Sequence, residues 1–280
     1  MAEQGHDVWA AGDAYERYMG RWSRLVARAF TGRLRGGDGL PCGHGLRWLD
    51  VGCGTGALTG RVVELRRPRA VLGVDRSAAF VATARRLVPG PASFAVADAL
   101  ALPVRGGSRD VVVSGLALNF LPSPAAGVAE AVRVVRPGGV VAAYVWDYAG
   151  GMGFLRRFWD AALRVDPAAG GLDEGRRFPV CRPDALRALW EGAGLTGVAV
   201  APIEVPAVFA GFADLWEPFL TGQGPAPGYV AALDPPLRER LREALRADLR
   251  ADLRADLPVR PDGSIALCLR AWAVQGVRSG

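Results

Sequence analysis

The sequence predicts an α/β fold: a Rossmann-like, doubly wound sheet, mostly parallel with an antiparallel edge strand and helices on both faces. Three observations predict it. Short apolar runs alternate with helical stretches between residues 46 and 146. A glycine-rich turn, Gly52-Cys53-Gly54-Thr55-Gly56, follows the first run directly. Acids stand at the ends of the first three runs, Asp50, Asp75 and Asp98, and ligands in open α/β sheets bind outside the strands' carboxyl ends.

The apolar runs lie at 46–51, 70–75, 93–97, 110–116 and 139–146. They are rich in Val, Leu and Ala, as strands buried on both faces are. Helices are expected over 55–67, 77–88 and 123–135. Ser77 and Ser123 can cap the last two, Pro124 suits a first helical position, and Pro137-Gly138-Gly139 stops the third. The β-α-β order implies parallel pairing through right-handed crossovers. The link from 97 to 110 reads as a loop. After Tyr148 the rhythm changes. Helices are expected over 151–165, 183–193 and 212–220, a strand near 197–205 and a last one over 265–275, forming the antiparallel edge. Ahead of the sheet, residues 13–35 read as one or two helices capped by Asp13. Tyr15, Tyr18, Trp22, Leu25, Val26 and Ala29 form their apolar stripe.

These elements are read as a single domain over 1–280. Residues 1–40 form a helical lid, 46–147 the ligand-binding core, 148–264 helical and strand additions on the acceptor side, and 265–278 the final strand. No run of eighteen apolar residues occurs and the start is polar, so neither a membrane span nor a secretory leader is expected. The four cysteines, at 42, 53, 181 and 268, form no C-x-x-C pair. A reduced, cytosolic protein without a metal site is expected. The net charge of +6 comes entirely from arginines, 34 of them with no lysine, dispersed along the chain. That pattern reflects a GC-rich coding sequence more than a surface for polyanions, so no nucleic-acid partner is expected.

One segment stands apart. Leu237, Leu241, Leu245, Leu249, Leu253 and Leu257 recur every fourth residue, and Arg-Ala-Asp-Leu is repeated three times from 246. Each step overshoots a helical turn by about 40°, so six leucines fan over roughly 200°, too wide for one seam. The repeat also stacks Arg246, Arg250 and Arg254, and Asp248, Asp252 and Asp256, in like-charge ladders. An exposed helix lengthened by repeat expansion is expected, with a partner-binding helix as the alternative.

The chemistry is carried by Trp48-Leu49-Asp50-Val51-Gly52-Cys53-Gly54-Thr55-Gly56. Glycines tighten the turn and let a ligand approach the backbone, and the next helix offers free N–H groups. Gly52, Gly54 and Ala57 also satisfy the dinucleotide pattern G-x-G-x-x-A, so a nicotinamide-dependent oxidoreductase is a rival, and a structural tight turn is the plain alternative. Asp50 favours a different ligand. It ends the first strand, where two incoming phosphates would want no anion. A methionine-bearing cofactor brings an ammonium and a sulfonium, which an anion suits. Asp75 can accept both hydroxyls of a ribose from either cofactor, and Asp98 can accept from an adenine amino group.

With these residues in view, 46–147 resembles the core of the class I S-adenosylmethionine-dependent methyltransferases, among the small-molecule, metal-independent, ubiquinone/menaquinone-type and natural-product-type enzymes. Asp50 to Gly56 matches the family's first motif, Asp75 the ribose-binding acid, and Asp98-Ala99 the adenine contact. Ser114-Gly115-Leu116-Ala117-Leu118-Asn119-Phe120 matches the segment after the fourth strand, and Arg136-Pro137-Gly138-Gly139 the turn before the fifth. The resemblance covers about a third of the chain strongly. It implies S-adenosyl-L-methionine as cofactor, held by Asp50, Gly52, Cys53, Gly54, Asp75, Arg76, Asp98, Ala99 and Leu116. Tyr18 and Arg21 would reach it from the lid, Arg21 toward its carboxylate. Arg109 departs from the family, where an aromatic residue commonly precedes the acid that opens the fourth strand; a surface substitution is expected there.

The implied reaction is methyl transfer to a small, hydrophobic or aromatic acceptor. Tyr15, Trp22, Asn119, Phe120 and Trp146 are the candidate acceptor contacts, and Phe154, Phe158 and Trp159 either line that pocket or form core. Candidate bases are Asp147 and Tyr148, at the end of the fifth strand. His44 stands at the wrong end of the sheet, and His6 in the N-terminal tail is a weaker candidate. A non-catalytic S-adenosylmethionine-binding protein is the remaining reading.

Overall fold

The structure is a computed structural model that describes residues 16–36, 43–222, 224–252 and 262–280. Its seven strands are β1 (Arg47–Val51), β2 (Ala70–Asp75), β3 (Ala92–Val96), β4 (Arg109–Gly115), β5 (Val135–Trp146), β6 (Leu195–Phe209) and β7 (Ile265–Arg278). They form one sheet in the order β3-β2-β1-β4-β5-β7-β6. The pairs among β1 to β5 are parallel, and β7 lies antiparallel to β5. The fold class expected from the sequence is the one observed. Chain contacts group the residues into two compact units.

The sheet unit comprises Ser23–Trp146, Val180–Ile203 and Ala271–Gly280. Here α1 (Arg21–Arg33) contributes its later turns, followed by α2 (Ala57–Arg66), α3 (Ala78–Leu87), α4 (Pro124–Val134) and, after the other unit's first insertion, Pro183–Gly192. The Ser77 and Ser123 hydroxyls accept from the N–H groups of Phe80 and Ala126, both at 3.3 Å, so both expected caps are present. Trp48 and Leu49 in β1, Val112 and Val113 in β4 and Val145 in β5 are buried in the centre of the sheet. The Arg-Pro-Gly-Gly stretch does not precede β5. It bulges within it, because Arg109 pairs with Val135 while Val111 pairs with Val140.

Arg109 is not a plain surface residue. It is half-buried, its Nε has no partner, and burial followed by the Arg47 charge lowers its pKa. It stands where β4 begins, at the end of the strand opposite the glycine turn. The stripe on α1 is also shifted from expectation. Val26 and Phe30 are buried, and the Phe30 ring lies 4.7 Å from that of Tyr144 on β5. Leu25 is 42% exposed, because the buried face advances from 22 to 26 to 30 and Leu25 falls beside it. Asp13, Tyr15, His6 and Cys42 lie outside the described residues.

Among the described residues, the helical unit comprises 16–22, Asp147–Pro179 and Glu204–Arg270. With the Pro183–Gly192 helix numbered α6, this unit holds α5 (Gly153–Val165), α7 (Pro225–Ala232) and α8 (Pro235–Asp252). Its core is aromatic. Phe158 stacks on Phe219 at 4.3 Å, and Phe154 touches Trp22, Phe209 and Phe219 at 5.3, 5.9 and 5.7 Å. Ring pairs of this kind add about 0.5–1.5 kcal/mol each beyond their burial. Among the described residues, no helix is long and apolar enough to cross a membrane.

The leucine ladder corrects an expectation. Leu241, Leu245 and Leu249 are buried, and α8 packs along α5. Three leucines fan only about 80°, which one seam accommodates. The charges of the first repeat also find opposite partners, Asp248 with Arg164 and Arg246 with Glu243 at 3.7 Å. Leu253 and Leu257 lie outside the described residues. Removing residues 250–257 keeps one Arg-Ala-Asp-Leu copy and all three buried leucines. The expected result is a melting temperature within about 2 °C of the parent, under 1 kcal/mol for a chain of this size. Scanning calorimetry showing a drop of 8 °C or more would mean that the later repeats are part of the packed helix.

Candidate functional site

The turn after β1 is built from backbone shapes that side chains resist. Gly52, Gly54 and Gly56 all have positive φ, at 73°, 52° and 90°. A Cβ on Gly52 would stand 2.4 Å from the Cβ of Ala117, so the loop after β4 lies directly against this turn. A Cβ on Gly54 would meet nothing within 4 Å, so its backbone presents a bare face to a ligand. Both the Gly52 and Cys53 N–H groups donate to the Val74 carbonyl, at 2.8 and 2.9 Å, which locks the turn to the end of β2. The Cys53 thiol points away, into a cluster with Val81, Ala84, Val88 and Phe94, and burial raises its pKa steeply. This position offers a ligand its backbone only.

Asp50 is fully buried. Its Oδ2 accepts from the Thr59 hydroxyl at 2.6 Å, while its Oδ1 has no partner. Burial is the main cause that lifts its pKa to about 7; the Thr59 hydroxyl opposes this and the Asp75 charge adds to it. A buried, unpartnered carboxylate oxygen beside a bare glycine turn fits a ligand that supplies a cationic N–H. The ammonium of S-adenosylmethionine is such a group, and a pyrophosphate is not.

The next strand ends continue the site. Asp75 accepts from the Gly54 N–H at 3.0 Å and the Ser77 N–H at 2.9 Å, one per oxygen. Each oxygen keeps a lone pair, enough for the two hydroxyls of a ribose. Its pKa is raised, chiefly by burial. Arg76 beside it is exposed. Asp98 is exposed after β3 and accepts from the Leu100 N–H at 2.8 Å, with Ala99 half-buried between them. After β4, Leu116 has a φ of 59°, a shape that costs a branched-chain residue about 1–3 kcal/mol and that concentrates at ligand sites. Its N–H is fixed to the Tyr144 carbonyl at 2.8 Å. Asn119 is buried and Phe120 half-buried in the following turn, and Trp146 is buried at the end of β5. His44, exposed before β1, contacts the Arg66 carbonyl at 3.1 Å.

The remaining candidates belong to the helical unit. Tyr18 and Trp22 are buried in its aromatic core. Arg21 pairs with Asp214 at 3.2 Å and lies over the Trp22 and Phe209 rings at 4.2 and 4.8 Å. Asp147 accepts from Arg270 Nε at 2.8 Å and from the Gly150 N–H at 3.1 Å, so its carboxylate is an anchored ion-pair partner. The Tyr148 ring packs 5.6 Å from Phe178. Phe154, Phe158 and Trp159 are fully buried core.

The structure thus brings together Gly52 to Gly56, Asp75 and the 115–117 loop. Thr59 and Glu174 are among the buried polar groups that the sequence does not single out. Thr59 carried one signal, a polar residue on the buried face of α2. Glu174 carried none. It is fully buried, accepts from the Trp159 indole N–H, and burial raises its pKa to about 7.

Residues 49–143 match the family described as "Methyltransferase domain". The chain is 36% identical over 194 residues to the malonyl-[acyl-carrier protein] O-methyltransferase of Geobacter sulfurreducens, covering 66% of this chain and 67% of that one. It is 31% identical over 191 residues to the 2-methyl-6-phytyl-1,4-hydroquinone methyltransferase of Synechocystis sp., covering 67% of this chain and 58% of that one. A further malonyl-[acyl-carrier protein] O-methyltransferase, from Hahella chejuensis, is spanned over only 33% of its length. The fold is also that of the solved YcgJ protein of Bacillus subtilis, with a TM-score of 0.55 and 16% identity over 93% of this chain and 99% of that one.

Proposed function

Because the chain belongs to the class I S-adenosylmethionine-dependent methyltransferases, we infer that it transfers the methyl group to a small, hydrophobic or aromatic acceptor. The observation that carries this reading is the unpartnered Asp50 Oδ1 beside the bare Gly54 backbone. When bound, the cofactor supplies a methyl carbon on a sulfonium whose charge disappears in the transfer. Apolar surroundings therefore do not oppose the reaction, and positioning supplies most of what the protein adds, out of the roughly 7–11 kcal/mol available from approximation.

In this reading Asp50 holds the ammonium, Asp75 the ribose hydroxyls and Asp98 the adenine amino group, with Leu116 against the methionine arm. Arg21 is engaged by Asp214 within the helical unit. Asp147 is likewise engaged by Arg270 and is more a positioning anchor for residues 147–151 than a base. Trp22, as core, supports the helical unit. A small molecule rather than a nucleic acid is supported by the arginines themselves. Arg21, Arg133, Arg136, Arg156, Arg164 and Arg270 are each spent on an acidic partner instead of forming one basic face. A cytoplasmic site of action is supported by the free thiols of Cys53 and Cys268.

Titration calorimetry tests the assignment. S-adenosylmethionine and S-adenosylhomocysteine should bind and NAD should not. Formation of S-adenosylhomocysteine should follow addition of flat aromatic acceptors and not of tRNA. NAD binding without binding of either sulfur compound would sink it.

A further inference from the structure

Asn119 has hydrogen-bonding capacity that the folded chain leaves unused. It lies in the single turn Leu118–Phe120 after β4 and is 7% exposed, and neither its Oδ1 nor its Nδ2 has a partner. A buried carboxamide can donate twice and accept twice, and leaving both ends dry is destabilising. Few such groups survive in native proteins, and they call for a functional account. Two residues before that turn stands Leu116, whose left-handed backbone is itself strained.

Position along the sheet indicates what Asn119 serves. The strand order places β3, β2, β1 and β4 side by side. Asp98, Asp75 and Asp50 stand at or just beyond the ends of the first three. In the reading above they take adenine, ribose and ammonium in that order. The next strand end is that of β4, and Ala117 in its loop abuts Gly52. The group after the methionine arm is the acceptor.

We propose that Asn119 binds a hydroxyl of the acceptor, so that this chain methylates alcohols or phenols, or compounds carrying such a hydroxyl close to the reacting atom. The proposal rests on the methyltransferase reading and narrows it. A hydroxyl donates to Oδ1 and accepts from Nδ2 through one atom. A carboxylate would set an anion against Oδ1, an ammonium would set a cation against Nδ2, and a neutral aryl amine, its lone pair drawn into the ring, donates to Oδ1 but accepts poorly from Nδ2. The carboxamide is not a base. Asn119 is a positioning residue that fixes the hydroxyl's orientation and selects for it. Sites built to hydrogen-bond a hydroxyl reject analogues lacking it by about 10⁴-fold or more.

The test uses Asn119→Leu, which keeps the branched shape and removes both polar ends. Without ligand, its melting temperature should rise by about 2–6 °C, because a buried polar group without a protein partner has been removed. A fall would show that the carboxamide is structural and overturn the proposal. Affinity for S-adenosylhomocysteine should stay within twofold; a loss beyond tenfold would assign Asn119 to the cofactor and overturn it too. With S-adenosylhomocysteine bound, 2-naphthol should raise the melting temperature of the parent more than 2-naphthylamine or 2-naphthoic acid does. That increment should vanish in Asn119→Leu. An equal or larger effect of the amine or the acid, an increment that persists in the variant, or no effect of any probe would each overturn the hydroxyl assignment. Failure of the parent to bind S-adenosylhomocysteine would instead strike the methyltransferase reading itself.

Discussion

Replacing Asp75 by Ala is expected to weaken S-adenosylmethionine and S-adenosylhomocysteine by about 10- to 150-fold, or about 1.5–3 kcal/mol. That is the usual worth of hydrogen bonds to a charged group. Two losses combine. The ribose hydroxyls lose a carboxylate that can accept both. The Gly54 and Ser77 N–H groups lose the acceptor that holds them at 3.0 and 2.9 Å, so the glycine turn is less fixed before any ligand arrives. Asp75→Asn separates the two effects. Its remaining carbonyl oxygen can serve one N–H and one hydroxyl, so the loss should be smaller than for Ala. Titration calorimetry at pH 8 reads both variants. An Asp75→Ala affinity within twofold of the parent would mean that the ribose lies elsewhere and that the strand-end order of the site is wrong.

Much of this site was legible because its residues sit where local rules apply. Buried parallel strands are unbroken apolar runs, and a strand that ends in Asp before Gly-x-Gly-x-Gly leaves few alternatives. Ser77, Ser123 and Pro124 announced their helices through short-range hydrogen bonding. The helix Pro225–Ala232 is not legible in the sequence, because proline and glycine, here Pro225, Pro227 and Gly228, are the poorest helix formers. Both prolines fall in the first turn, where no intrahelical N–H bond is lost. The buried seam of Leu241, Leu245 and Leu249 depends on α5, more than seventy residues earlier in the chain, which no local period reveals. The same holds for Asp147. Its place after β5 was readable, but its ion pair with Arg270 exists only because β7 returns alongside β5. Glu174 is buried by tertiary packing in a stretch whose composition reads as solvent-exposed.

Those buried carboxyls give the protein a pH dependence of definite sign. Asp50 and Glu174 are each lifted to about 7 in the fold, mainly by burial, from ordinary values of 3.8 and 4.5. Between those limits the native state keeps protons that the unfolded chain has released. Stability of the free protein must therefore fall as pH rises from about 4 to about 7, and level off above. Each group accounts for on the order of 3–5 kcal/mol of that fall. Asp75, raised in the same direction, adds to it. Asp110 and Glu130 are lowered and act oppositely, but only below their ordinary range, so they do not mask the effect above pH 5. A cationic ligand at Asp50 favours the ionised form. Affinity for S-adenosylmethionine should then rise between pH 6 and 8, with up to one proton released on binding near pH 6.5. Calorimetry in two buffers of different ionisation enthalpy measures that proton directly. Asp50→Asn should abolish both the release and the pH dependence of affinity, while Glu174→Gln should leave them in place and flatten only the stability curve. Proton uptake on binding, or release that persists in Asp50→Asn, would show that the ammonium is not held by Asp50.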